Sequence, residues 1–466
     1  GPEVTIMFGV RPSFDSLVLV LAALRCGGRL TFLEPGGADV AAARIELTQP
    51  TWVITESLFY LASSRGLFSW LARRRGLQLA RLSAIHGPKV HAGRWLPGVP
   101  LGSTSLAKLT RDVGSPAPPP ADAEEGSVVV FTSGTTGAPK GVVHDARSIP
   151  AGADITDRDF QLRADAVLYT HKVQSFITVL ERGGRAVVAP LGWSVEEFLD
   201  DVLRYGVTDA ILVASQAWEF ANHLRDHKLP VPPSLRSIYL QAAPITVPVC
   251  ERLHEVLGDG VRVLCIYGMT EILPVASIDS RDKVRLTPAE GDLVGPITDG
   301  VEARIDEHGE LHLRGANGYR GYLGRPDVDW HATGDLARID DQNNIILMGR
   351  AKDMLLRGGF NLYPGLYEDT ITRIDGVGAC AIVGVPDPQT ADERVVLFVE
   401  PHDTDLADRE LEEHVQRALR SGSTAIDVRA LPDDVIVVPA LARSGRSSKI
   451  DRTQLRVTAA EHVHGS

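Results

Sequence analysis

From Val4 to about Pro190, short apolar runs alternate with stretches whose apolar residues recur every three to four positions. The first pattern suits buried strands and the second suits helices packed on a sheet. Ser16–Arg25 reads as a helix stopped by Gly27-Gly28, and Leu30–Leu33 as a strand ending at Glu34-Pro35-Gly36-Gly37. Ala38–Thr48 reads as a second helix and Thr51–Thr55 as the next strand. After a Pro/Ala-rich loop, Ser115–Ala123, the β-branched run Ser127–Phe131 suits a strand buried on both faces. Further strands are expected at Ala186–Pro190, Ala210–Val213, Ser237–Leu240 and Val261–Ile266. The rhythm predicts an α/β fold with parallel-rich sheets and flanking helices.

The texture changes near Val301. Short strands there are separated by turn signals, Asp306-Glu-His-Gly309 and Asp340-Asp-Gln-Asn-Asn344, which predicts a β-rich subdomain. The last stretch reads β–α–β–β–α–β, a small α+β module. The expected division is a large domain over 1–351 and a small C-terminal domain over 352–466.

Composition narrows the classes. The chain of 466 residues is 44% apolar and 23% charged, with a net charge of −12, so a basic nucleic-acid-binding face is not expected. The apolar run Leu17–Leu24 is far short of the ~20 residues that span a bilayer. No signal-peptide pattern opens the chain. Cys26, Cys250, Cys265 and Cys380 stand singly, without metal or redox spacing, and read as reduced thiols of a cytoplasmic protein.

The densest chemistry follows the strand Ser127–Phe131. Thr132, Ser133, Gly134, Thr135, Thr136, Gly137 and Lys140 form one Ser/Thr/Gly-rich string. Glycines let backbone N–H groups approach an anion, hydroxyls add donors, and Lys140 adds a mobile charge. That is a polyphosphate cradle. Its spacing is neither that of a Walker loop nor that of a nucleophile elbow.

The string Thr132-Ser-Gly-Thr-Thr-Gly-Ala-Pro-Lys-Gly141 resembles the phosphate loop of the adenylate-forming superfamily, which includes acyl-CoA synthetases, adenylation domains and luciferase. Other motifs follow in that family's order. In Tyr267-Gly268-Met269-Thr270-Glu271 the resemblance implies that Tyr267 stacks near adenine, Thr270 contacts phosphate and Glu271 holds Mg²⁺. In Thr333-Gly334-Asp335-Leu336 it implies that Asp335 accepts from both ribose hydroxyls. In the run Gly349 to Pro364 it assigns Arg350 to ribose or phosphate, Lys352 to an interdomain hinge, and Gly358-Gly359 to a thiol tunnel. Gln241-Ala242-Ala243-Pro244 sits where the family contacts adenine and floors the acyl pocket. His171, in Tyr169-Thr-His-Lys-Val-Gln174, lies near the segment that gates the acid; a structural histidine is the competing reading.

Lys449, in Ser447-Ser-Lys-Ile-Asp-Arg452, matches the family's late catalytic lysine. The usual Ser-Gly-Lys is here Ser444-Gly445-Arg446, so Arg446 is the alternative cation. The family's usual opening segment of several dozen residues is not seen here, which implies either a large domain trimmed at its N-terminus or a short family member. The expected activity is ATP- and Mg²⁺-dependent formation of an acyl-adenylate from a small carboxylic acid. Acyl transfer to the thiol of coenzyme A, or to the phosphopantetheine of a separate acyl carrier protein, then follows. No acid lies between Tyr169 and Gln174, which favours a non-amino acid substrate. Two alternatives stay open: closure of a β-hydroxy acid to a β-lactone, and a nucleotide-binding scaffold whose site has decayed.

Overall fold

The computed structural model describes residues 4–33, 38–64, 68, 70, 79–111, 126–132, 140–190, 192–242, 244–288, 291–353, 355–357, 360–362, 364–386, 393–402, 404, 406–421, 424, 426, 428–444 and 449–465. They divide into two compact units. The first comprises 1–208, 269–274 and 314–329, and the second comprises 209–268, 275–313 and 330–466.

The first unit is built on β1 (Thr5–Gly9), β2 (Arg29–Phe32), β3 (Trp52–Glu56), β4 (Lys89–Ala92), β5 (Thr104–Ser105), β6 (Ser127–Thr132) and β7 (Lys140–Asp145). With the two-residue strand Gly321–Tyr322 they form one sheet in the order 321–322, β7, β6, β2, β1, β3, β4, β5. The pairs among β1 to β6 are parallel. β6–β7 and β7–(321–322) are antiparallel. Ile6, Phe8, Leu30, Ile54, Val90 and Val128 are buried together with Val20 and Ala23 of the helix α1 (Phe14–Arg25), which is the core the strand runs predict. Gly126 precedes β6 because a Cβ there would lie 2.3 Å from the Leu24 carbonyl oxygen.

α1 begins two residues before the expected Ser16. Ser13 caps it, accepting from the Ser16 N–H at 3.1 Å, while Ser16 Oγ accepts from the Ser13 N–H at 2.8 Å. This reciprocal cap satisfies donors that the helix itself cannot. β8 (Val167–Thr170) and β9 (Arg185–Val188) form a parallel pair joined through the helix Val173–Glu181.

In the second unit the strands 209–212, 237–240 and 262–269 run parallel. The last extends past the apolar run through Tyr267, Gly268 and Met269, so those motif residues are strand rather than the loop after it. The β-rich stretch forms a five-stranded sheet ordered 292–296, 344–350, 331–339, 310–315, 301–305. Beyond it, 377–386, 393–401 and 434–437 form a three-stranded sheet with helices at 365–371, 408–418 and 452–465. The final helix extends the expected β–α–β–β–α–β order. It buries Leu455 and Ala459 against Val383 and Phe398.

Among the described residues no helix is long and apolar enough to cross a membrane.

Candidate active site

Two groups of polar residues stand out, one in each unit. In the first unit, β6 and β7 pair in a register that sets Thr132 opposite Lys140. The strand ends therefore bring the two borders of the glycine-rich string side by side. Ser133, Gly134, Thr135, Thr136 and Gly137 lie outside the described residues.

Along β7, Lys140, Val142 and His144 share one face by the two-residue period of a strand. His144 is half-buried. Its Nε2 meets the Thr270 carbonyl oxygen at 2.7 Å, and its Nδ1 meets Ser148 Oγ at 3.1 Å. A neutral ring satisfies both contacts, with Nε2–H donating and Nδ1 accepting. Burial lowers the His144 pKa, which favours that form, although Thr270, Asp145 and Glu271 pull the other way.

Glu271 is held from the strand Gly321–Tyr322. Its carbonyl oxygen accepts from the Tyr319 N–H at 2.7 Å, and its Oε1 accepts from the Tyr322 hydroxyl at 2.8 Å. Lys140 Nζ lies 5.4 Å from the centre of the Tyr322 ring, a cation–π contact. Thr270, Glu271 and Lys140, widely separated in sequence, are thus tied to one sheet edge. Half-buried, with one oxygen accepting from a phenol, the Glu271 carboxylate fits a hard divalent ion such as Mg²⁺.

In the second unit the centre is Asp335, on strand 331–339, in register with Arg350. Only 4% of Asp335 is exposed. Its Oδ2 accepts from the Tyr267 hydroxyl at 2.6 Å, and its Oδ1 lies 2.5 Å from Arg350 Nε. Burial raises the Asp335 pKa, while Arg350, Tyr267 and the Lys449 ammonium draw it down. Lys449 is exposed on the short hairpin in which it pairs with Ser444. Arg446 lies outside the described residues.

The turn of Asp335 is held independently of its carboxylate. Gly334, at φ 73°, donates its N–H to Glu310 Oε1 at 2.7 Å. The Asp335 N–H donates to Thr333 Oγ1 at 3.0 Å. The positive φ explains the glycine.

Gln241 is buried at the end of strand 237–240, followed by Ala242 at φ 70° and an exposed Pro244. Ala243, Gly358 and Gly359 lie outside the described residues. Lys352 sits in a 3₁₀ turn, Ala351–Asp353, directly after the strand that carries Arg350.

His171 is exposed on the bend after β8. At its neighbour Lys172, burial alone pushes the pKa down to about 8. The unfolded chain then holds more protons than the folded one between pH ~8 and ~10.5, so stability rises with pH across that window. Below it the fold carries the ammonium at a constant cost. Lys172→Met is expected to raise the melting temperature at pH 7 by about 2–4 °C, with the gain shrinking toward pH 10. A lower melting temperature at pH 7 would mean that the ammonium stabilises the fold.

Sequence reasoning passed over His144, Tyr319 and Tyr322. For His144 the signal was available, since it follows Lys140 at strand period. The tyrosines carried none, because their role comes from pairing with a distant strand.

The chain is an adenylate-forming enzyme, as its matches to two family profiles show. The profile of the AMP-binding enzyme family matches residues 1–323, and that of the AMP-binding enzyme C-terminal domain matches 367–449; the chain belongs to this family. A sulfoacetate–CoA ligase of Cupriavidus necator is 30% identical over 425 residues, spanning 84% of this chain and 78% of that one. A methyl-dioxo-octahydroindenyl propanoyl:CoA ligase of Rhodococcus jostii is 32% identical over 316 residues, spanning 63% of this chain and 59% of that one. Among solved structures, the amide bond synthetase McbA of Marinactinospora thermotolerans superposes with a TM-score of 0.78 at 22% identity. The superposition covers 98% of this chain and 90% of that one, a likeness of fold.

Proposed function

We propose that the protein uses ATP to activate a small carboxylic acid as its acyl-adenylate, releasing pyrophosphate, and then passes the acyl group to the thiol of coenzyme A, releasing AMP. The observation that carries this reading is the buried Asp335 carboxylate, held by Tyr267 and Arg350 and within reach of the Lys449 charge, in a chain of the AMP-binding enzyme family.

In this reading Asp335 accepts from the ribose hydroxyls, since an acceptor-only side chain suits a diol. Arg350 steadies that carboxylate. Tyr267 fixes the same carboxylate by its hydroxyl and presents its ring to adenine, and Gln241 to Pro244 serve as further adenine contacts and as the floor of the acyl pocket. Thr132 to Lys140 receive the phosphates. Lys449 offsets the negative charge that builds up as the acid attacks the α-phosphate, and Arg446 is left without that role. Lys352 turns the small domain, over 352–466, between the two half-reactions, and Gly358-Gly359 line the path of the thiol. His171 stands at the entrance for the acid.

Glu271 and Thr270 are the residues that would hold Mg²⁺ and its phosphate partner. When bound, the ion would screen the charge of the triphosphate and of the leaving pyrophosphate. This chain's own part is to orient: catalysis of such a displacement is mostly positioning and charge stabilisation. A cytoplasmic setting accords with four free thiols.

The test is pyrophosphate release with a panel of acids, followed by AMP release on adding coenzyme A. Acid-dependent release that stays without thioester would move the acyl acceptor to a carrier protein or to lactone closure. No acid-dependent release across the panel would sink the enzyme reading.

A further inference from the structure

We propose that Tyr322 is the positioning residue of the metal carboxylate: its hydroxyl orients Glu271 for the divalent ion while its ring seats Lys140. The proposal rests on the reading of Glu271 as the Mg²⁺ ligand.

The geometry begins with the backbone. Tyr322 is opposite Val142 on β7, between Lys140 and His144. Three bonds fix this strand in place: the Arg320 N–H to the Val143 carbonyl oxygen at 2.9 Å, the Leu323 N–H to the Gly141 carbonyl oxygen at 2.7 Å, and the Tyr319 N–H to the Glu271 carbonyl oxygen at 2.7 Å. Gly321 allows the strand to pass close to its own return, since a Cβ there would lie 3.0 Å from the Pro326 carbonyl oxygen. Tyr319 and Tyr322 then meet edge to face at 5.1 Å between ring centres, which locks the phenol's direction.

So oriented, the Tyr322 hydroxyl reaches Glu271 Oε1 at 2.8 Å. The phenol is the donor of this bond, since a carboxylate oxygen can only accept. One carboxylate oxygen is thereby pinned. The Tyr322 ring receives Lys140 at 5.4 Å and Arg325 at 5.8 Å. The same side chain therefore governs both a carboxylate meant for a cation and a lysine meant for phosphate. His144 adds the last restraint by holding the Thr270 carbonyl. Hydrogen bonds that orient a metal-binding carboxylate are worth about 10–100-fold in metal affinity.

The experiment is calorimetric titration of ATP into the full chain without acid, so that nothing turns over, at a series of Mg²⁺ concentrations. Tyr322→Phe keeps the ring and loses the hydroxyl. The Mg²⁺ concentration that half-saturates its gain in ATP affinity should rise about tenfold or more, while ATP affinity without Mg²⁺ stays within twofold. Tyr322→Leu should show the same Mg²⁺ shift and also weaken Mg²⁺-free binding, because Lys140 loses its platform. Glu271→Gln separates the two readings. If it raises the Mg²⁺ requirement and Tyr322→Phe does not, the Tyr322 role is overturned alone. If Glu271→Gln leaves the requirement unchanged, the metal reading of Glu271 fails and the proposal with it.

Discussion

Lys449→Ala is expected to slow acyl-adenylate formation about 10²–10³-fold, the cost of removing a group aimed at charge that develops in the transition state. Thioester formation from a supplied acyl-adenylate should change by no more than a few-fold. The asymmetry follows from how Lys449 is mounted. Its side chain is exposed, but the chain just beyond it is anchored. Arg452 makes a bidentate contact with Glu368, at 2.8 and 2.6 Å, and donates to the Ile382 carbonyl at 2.9 Å. It also lies 3.4 Å from Asp353, the residue after Lys352, and Arg456 lies 3.3 Å from the same carboxylate. The half-buried Arg452 has its pKa raised by the Glu368 and Asp353 charges although burial itself works against it, so it stays charged. Lys449 is thus an exposed cation on a fixed base, and its charge acts on the Asp335 carboxylate. Truncating it removes the cation and leaves the base intact, so the loss should fall on the step that needs the cation. Both half-reactions are measured on one preparation, by pyrophosphate release and by thioester formed from synthetic adenylate. An equal loss in both would refute this assignment.

The parts of the molecule legible in the sequence are those specified locally. A buried parallel strand announces itself as a short apolar run, and 237–240 falls where the run does. A run of strong helix formers bounded by Gly37 and Pro50 is similarly visible, as Ala38–Thr48 is. The glycine- and hydroxyl-rich string is readable because its chemistry is contiguous. What escaped was long-range or weakly patterned. The cap on α1 was hidden because serine at Ser13 also reads as loop. The final helix, 452–465, buries Leu455 and Ala459 but has little other apolar periodicity, so its sequence reads as a tail. Lys283 sits in a run of charges that looks solvated, yet it is 1% exposed. There it pairs with Asp292 and donates to the Leu293 carbonyl at 2.7 Å. Tyr322 and His144 meet Glu271 and Thr270 across 51 and 126 positions, a closeness that only the sheet order creates. Local chemistry was therefore readable, while the groups that orient it were not.

Asp335→Ala should raise the apparent constant for ATP about 10–100-fold, because hydrogen bonds to a charged group are worth roughly 1.5–3 kcal/mol each and ~1.4 kcal/mol is tenfold. The fold should survive. The turn is held by Glu310 on the Gly334 N–H and by Thr333, whose hydroxyl donates to the Leu311 carbonyl at 2.8 Å. None of these bonds uses the Asp335 side chain. Nor does the carboxylate act as a net support at neutral pH. Its folded pKa is raised, chiefly by burial, so the folded state keeps a proton that the unfolded chain releases near pH ~4. Stability from this group therefore falls as pH rises from about 4 through the raised value, and above that window the ionised form is a standing cost. Removing it spares that cost, and Arg350, 43% exposed, can turn to water. The melting temperature of the variant relative to the parent should be highest near pH 7 and should fall toward pH 4. The decisive probe is 2′,3′-dideoxy-ATP, which lacks the diol. The parent should bind it far more weakly than ATP, and the alanine variant should bind the two alike. A variant that keeps the parent's preference for the intact ribose would show that Asp335 does not read the sugar, whatever happens to its melting temperature.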